Sequence, residues 1–333
     1  FPANNARELV TFARQAAKDG RPVSYASVGT GSLYHLIGED MARKISAPML
    51  HVPYKGGGPI LQDLIGGQID MFITPYGAPH VAMEKEGKQY HVALQRGDVG
   101  KYVLLPGDPG RCEPISRLFD NPRHVATNRE YVTYTGTLDG VPVSVTSTGI
   151  GCPSAAIALE ELVRCGADTF IRVGTSGHIQ KDSVSGELAI ISAAIRDEGT
   201  SRHYMPIEFP AVADLEVVQA LQVAAKKLGA RSRTGITQSK DSFYGQHEPE
   251  RMGVANELLA RWRAWEIGGA ICSEMEASAL FVIASMLRVR AGGVMMVHAK
   301  EPMPPLDILL ETAVGALREL IAKDRVAGRS VTI

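Results

Sequence analysis

The chain has 333 residues, 35 Lys and Arg against 36 Asp and Glu, a formal net charge of −1, and hydrophobic and charged shares of 45% and 21%. That length suits two domains, or one large α/β domain with an appendage, and the charge balance argues against a nucleic-acid or anionic-membrane surface as the main partner. No apolar run reaches the roughly 18 residues of a membrane helix, and four scattered cysteines (Cys112, Cys152, Cys165, Cys272) without a C-x-x-C pair predict packed, reduced thiols.

The chain opens on Phe1 with no basic-then-apolar leader, so no export signal is expected and a cytoplasmic location is. Asn5 is placed to cap a first helix whose apolar positions, Leu9, Val10, Phe12, Ala13, Ala16 and Ala17, recur at spacings of three and four; Gly20 closes it. Val23 to Ser27 reads as a strand. The turn Gly29-Thr30-Gly31-Ser32 leads into a helix to about Ile45, and Met49 to Pro53 is a second strand. Lys55-Gly56-Gly57-Gly58 precedes a short helix to Ile65, and Ile69 to Ile73 is a third strand. This alternation is βαβ in style. Charged, turn-rich residues 84–88 mark a junction, which divides the chain into units 1–88 and 89–333.

Beyond the junction, Tyr102 to Leu105 is a buried strand running into Pro106-Gly107-Asp108-Pro109-Gly110-Arg111. Tyr131–Thr137 and Val141–Thr146 flank Asp139-Gly140, a strong hairpin signal. Ser154 to Cys165 is helical, with Gly166 ending it. Thr169 to Gly174 is a strand, followed by Thr175-Ser176-Gly177. Helices are expected near 214–228, 254–267, 275–288 and 307–323, and strands near 187–191, 234–238 and 292–297.

Six stretches of the second unit occur together: Leu105 to Arg111, Asn128-Arg129-Glu130-Tyr131, Ser147-Thr148-Gly149-Ile150-Gly151, Arg172-Val173-Gly174-Thr175, Phe243-Tyr244-Gly245-Gln246 and Glu274-Met275-Glu276. In that order they resemble the nucleoside phosphorylase family, on its uridine-cleaving branch, over about residues 89 to 297. The resemblance implies an α/β fold, a three-layer phosphorylase/hydrolase-like mixed sheet flanked by helices. It also implies phosphorolysis of uridine to uracil and ribose 1-phosphate, with no cofactor and inorganic phosphate as co-substrate.

The chemistry makes its own demands. A phosphate with roughly two negative charges must be held against C1′ of the ribose. The sugar becomes cation-like, and the departing base carries negative charge that needs donors already in place. Gly107 permits close backbone approach to a phosphate at a strand-to-helix turn. Arg111 and Arg172 can fork onto phosphate oxygens, and Thr175 adds a hydroxyl. Glu276 can accept from the 2′ and 3′ hydroxyls with Met275 packed on the sugar; Glu274 better suits a helix N-terminus. Gln246 matches the uracil edge and Phe243 its face.

By resemblance, Arg172, Thr175 and Glu276 are the catalytic set. Arg129 reaches phosphate, and His91 the ribose 5′-hydroxyl, across a dimer interface. The commoner bacterial pattern puts an Arg two residues after the Gln. Here that position is Glu248, and Arg251 is the expected uracil ligand in its place. Glu130, Ile150 and Ser154 match positions that hold a monovalent cation, a structural potassium, between subunits. The implied assembly is a hexamer built from dimers. The strand ending Val297-His298-Ala299-Lys300, followed by Pro302, Pro304 and Pro305, departs from the family pattern and implies a shortened flap over the base.

The first unit resembles another family, the periplasmic tricarboxylate-type solute receptors. The resemblance rests on Tyr25 to Ser32, His35-Leu36, His51 to Pro59 and Asp63 to Asp70. It covers about a quarter of such a receptor, part of one lobe, and a fused piece that binds nothing alone is expected. Two alternatives to uridine cleavage stay open: a phosphorylase for another nucleoside, purine or thymidine, and a truncated solute-binding protein with the enzyme part inactive.

Overall fold

The computed structural model describes residues 6–55, 60, 63–64, 67–72, 84–85, 87–299 and 304–333. The chain divides into two compact units, Phe1–Glu84 and Lys85–Ile333. Among the described residues no helix is long and apolar enough to cross a membrane.

In the first unit, helix α1 (Ala6–Lys18) and helix α2 (Leu33–Lys44) accompany strands β1 (Ser24–Ser27), β2 (Leu50–Pro53) and β3 (Met71–Phe72), which form a parallel sheet in the order β2-β1-β3. Ser32 caps α2 by accepting from the His35 N–H. The motif residues pack on one another. His35 stacks on His51 at 4.0 Å between centroids, and His51 Nε2 meets Ser27 Oγ at 2.7 Å. The third strand is shorter than the sequence predicts. Asn5, the Gly56-Gly57-Gly58 turn and most of the helix expected after it lie outside the described residues.

The second unit holds a ten-stranded mixed sheet and one continuous core. Its strands are β4 (Tyr102–Pro106), β5 (Asp120–Asn128), β6 (Tyr131–Leu138), β7 (Val141–Thr146), β8 (Thr169–His178), β9 (Leu188–Asp197), β10 (Ala211–Val212), β11 (Ser232–Lys240), β12 (Cys272–Glu274) and β13 (Arg290–His298). Asp139 and Gly140 both take positive φ (52° and 76°), the conformation that a two-residue hairpin between β6 and β7 demands.

Strand β8 lies at the centre. It runs parallel to β4 and β13, and its far end pairs antiparallel with β12. Strand β13 pairs β9, β9 pairs β11, and β11 pairs β12, so five strands close into a ring. Closure removes open edges at the centre of the unit.

The flanking helices are α3 (Cys112–Ser116), α4 (Cys152–Arg164), α5 (Leu215–Lys227), α6 (Phe243–His247), α7 (Ala255–Ile267), α8 (Ala277–Leu287) and α9 (Asp307–Val326). Helix α4 packs on α8, and α5 on α9. Glycines make the close approaches possible: a Cβ at Gly292 would lie 2.4 Å from Val217 Cγ1 of α5. A buried network ties α9 to the sheet, with Arg290 Nη2 donating to Asp324 Oδ2 at 2.6 Å and Tyr102 Oη to the same oxygen at 2.6 Å. All four cysteines are buried, and none forms a disulfide among the described residues. Burial pushes the Cys112 and Cys272 thiols up to about 12, which suits packed, unreactive groups.

Candidate active site

The strand order delivers the chemistry to one place. Gly107 follows the end of β4, Lys240 ends β11, Glu274 ends β12, and Arg172 and Thr175 lie along β8. Carboxyl ends of strands are where α/β sheets gather ligands. A cavity of about 1300 Å³ opens there, lined by Gly107, Arg111, Glu130, Ile150, Arg172, Thr175, Phe243, Gln246, Met275 and Glu276 among others.

Arg172 anchors it. Its side chain is 6% exposed, held by Glu276 through Nη2 and facing Glu274 at 3.7 Å. Its Nε and Nη1 are buried without a hydrogen-bond partner. Unmet buried donors are costly, and the Nη1 donor is suited to an oxyanion. Glycines keep the space around it: a Cβ at Gly107 would lie 3.2 Å from Arg172 Nη1, and one at Gly174 3.2 Å from Cζ.

Arg111 reaches Thr175 Oγ1 from Nη2 at 3.4 Å. Burial lowers the Arg111 pKa, and the neighbouring Arg172 adds to the shift. The two guanidiniums therefore share a site in which an anion relieves both. Thr175 lies inside β8, which continues to His178; the expected strand end at Gly174 is corrected by pairing with β13 as far as Gly177–His298.

The two acids divide their work. Glu274 caps α8, accepting from the N–H groups of Glu276 (2.8 Å) and Ala277 (3.0 Å) and from Ser239 Oγ. Burial first, and then the charge of Glu276, push its pKa up. Glu276 instead accepts from the Gly151 N–H at 2.6 Å and from Arg172, and lines the cavity. Arg172 and Glu276 thus move as one unit, an anion grip joined to a hydroxyl acceptor.

At the other end, Ser273 Oγ lies 2.6 Å from Gln246 Oε1 and 2.8 Å from Gln238 Oε1, so its one proton serves either amide. Phe243 is half exposed and packs against His247 at 4.2 Å. Arg251 is not brought to the cavity. It sits on a 3₁₀ turn, Pro249–Arg251, paired with Glu248 at 2.5 Å and lying over the Tyr244 ring at 5.4 Å. Arg251 and Glu248 thus engage each other.

His91 and Arg129 do not line the cavity; they share a surface cluster. Arg129, at φ 52°, lies over the Tyr90 ring at 5.7 Å, and Tyr90 meets His91 edge-on at 4.9 Å. His91 is held by buried Glu161, which accepts from its Nδ1 at 2.6 Å and from its N–H. Glu130 and Ser154 touch directly, Ser154 Oγ to Oε1 at 2.7 Å, and this bond holds the Glu130 carboxyl below its ordinary pKa. Ile150 is 79% exposed at the rim. The shortened flap expected after His298 falls largely on residues 300–303, outside the described residues.

Sequence reasoning missed Lys240, Ser273, His247 and Trp262, all in the lining. The available signal was a polar run, Thr237-Gln238-Ser239-Lys240, buried at the end of a parallel strand.

Residues 101–319 match the phosphorylase superfamily, and residues 1–92 match the tripartite tricarboxylate transporter family receptor. The chain is 54% identical over 209 residues to a uridine phosphorylase of Treponema pallidum, covering 63% of this chain and 81% of that protein. It is 52% identical over 220 residues to one from Thermococcus kodakarensis (65% and 78%) and 37% identical over 244 residues to one from Escherichia coli (71% and 96%).

Proposed function

The chain belongs to the phosphorylase superfamily, and from that premise we propose that it cleaves uridine with inorganic phosphate, giving uracil and ribose 1-phosphate. The observation that carries this reading is Arg172. Its buried Nη1, without a hydrogen-bond partner, suits an anion, while Nη2 holds Glu276, the acceptor suited to ribose hydroxyls.

Phosphate would be held by Arg111, Arg172, Thr175 and the backbone at Gly107, aimed at C1′. Glu276 accepts from the 2′ and 3′ hydroxyls, and Met275 packs on the sugar. Gln246 and Phe243 take the base. As the C1′–N1 bond breaks, the phosphate dianion faces the cation-like sugar and stabilises it. Restricting phosphate and nucleoside to one cavity supplies the orientation that a bimolecular reaction in water lacks.

In our reading a second subunit completes the site with His91 and Arg129, in a homo-oligomer of dimers built to a hexamer. The clustering of both residues on one surface, away from their own cavity, supports it. The hard oxygens of Glu130, Ser154 and the Ile150 backbone fit a monovalent cation such as potassium at that interface. Four buried cysteines without a disulfide among the described residues suit a reducing compartment, the cytoplasm. The receptor-like unit, a fused piece, takes no part in the chemistry.

Release of the free base from uridine, thymidine and inosine, with and without phosphate, tests this. Phosphate-dependent cleavage with uridine preferred is expected; cleavage of inosine in preference to uridine would move the reading to another nucleoside.

A further inference from the structure

The base end of the cavity needs positive charge when the pyrimidine departs, and the residue expected to supply it, Arg251, is turned away onto Glu248. Among the described lining residues at that end, Phe243, Gln246, His247, Trp262 and Ser273 carry no fixed charge. His247 is pushed further toward neutrality by burial and by Lys240. Lys240 is the exception. It is 6% exposed, ends β11, and lines both this cavity and an adjoining one of about 400 Å³.

Its surroundings are unusual for a buried ammonium. One of its three donors goes to Ser273 Oγ at 2.8 Å, and among the described residues no carboxylate pairs with it within 4 Å. A buried cation hydrogen-bonded to one neutral partner, with the charges of Glu274 and Glu276 near but not paired with it, is incompletely compensated. Ser273 also contacts the Gln246 amide, so the ammonium and the base-reading amide meet at one hydroxyl. A point charge with two uncommitted donors stands beside the group that reads the base.

We infer that Lys240 is a catalytic residue that takes up the negative charge developing on the departing uracil. This rests on the uridine reading above. As phosphate oxygen bonds to C1′, the C1′–N1 pair moves onto the base and spreads over its ring oxygens. The ammonium hydrogen-bonds to that anion. The proton brought by hydrogen phosphate then passes through water to the uracil anion, so atoms and charge balance. Arg111 and Arg172 serve the opposite partner of the reaction, which explains why cations stand at both ends of the cavity.

The test compares uridine with 5-fluorouridine, whose electron-poor base leaves more readily and needs less help. In K240M, kcat for uridine is expected to fall about 100-fold, the loss for 5-fluorouridine to be several-fold smaller, and K240R to recover part of it. Phosphate binding by calorimetry should stay near wild type. Equal losses on both substrates, or wild-type kcat in K240M, would overturn the assignment. If K240M does not fold, K240Q gives the same comparison. A wild-type chain inactive on uridine sinks the substrate reading and this role together, whereas an active wild type with equal losses removes Lys240 alone.

Discussion

Arg172 and Glu276 form one buried unit in which Nη2 holds the carboxylate, while Nε, 3.7 Å from Glu274, and Nη1 have no hydrogen-bond partner. The carboxylate is further steadied by the Gly151 N–H at 2.6 Å. This couples the group suited to phosphate with the group suited to ribose, so damage to one reaches the other.

Substitution of Arg172 by Ala is therefore expected to lower kcat/KM by about 100-fold or more, the scale of losing a preorganised transition-state donor. It also leaves Glu276 as a buried charge without its cation. Steady-state kinetics at saturating uridine and at saturating phosphate separate the two effects: both KM values should rise. A variant with near-normal kcat/KM removes Arg172 from the site.

The dimer reading makes a mixing experiment possible. H91A and R172A should each be nearly inactive alone. Co-expressed, they form hybrid dimers in which one of the two sites has both wild-type residues. About a quarter of wild-type activity per subunit is then expected from random pairing. No recovery in hybrids shown by sizing to be dimeric or larger would place His91 outside its partner's site.

The position of Arg251 predicts an asymmetry at the base end. R251A should change kcat/KM for uridine by no more than a few-fold, because an exposed i,i+3 pair with Glu248 is lost and little else. Q246A should cost far more, since it removes the amide that Ser273 contacts. Kinetics of the two variants on uridine check this; equal losses would bring Arg251 back to the base.

These outcomes bear on what the sequence makes legible. Local rules read well: Asp139-Gly140 predicts its hairpin because both residues must take positive φ, and Gly166 ends α4 at φ 107°. The turn that carries Gly107 and Arg111 is legible for a related reason, since it directly follows a buried strand. The strand Cys272–Glu274 was not legible, because three residues become a strand only when β8 and β11 are already on either side. Strand β5 carries a mostly exposed, non-alternating sequence and is defined by its pairing with β6. Lys240 escaped because a lone lysine after a polar run resembles a solvated strand end; its burial comes from α6 and the ring. Arg251 was overread for the opposite reason, since spacing along the chain does not reveal that Glu248 holds it.

Lys240 also predicts a pH-dependent stability difference. Burial pushes its pKa down to about 8, against Glu274, Glu276 and Cys272, which act in the opposite direction. Below pH 8 both folded and unfolded chains hold the proton, and the folded state bears the whole cost of burying it. Between about 8 and the ordinary lysine value near 10.4, the unfolded chain alone stays protonated, so this contribution to stability improves as pH rises. K240M should therefore be more stable than wild type at pH 7, by up to roughly 3 kcal/mol, with the gap closing toward pH 10. Denaturant melts of both proteins at pH 7 and pH 9.5 measure it; a K240M that is less stable at pH 7 contradicts the buried-ammonium account.

The most direct measurement is uracil and ribose 1-phosphate formed from uridine by the whole 333-residue chain, followed with and without inorganic phosphate. The account predicts equal amounts of the two products, a rate that saturates with phosphate and vanishes without it, and slower turnover of inosine. Uridine left intact in the presence of phosphate, by a folded and assembled protein, would contradict it.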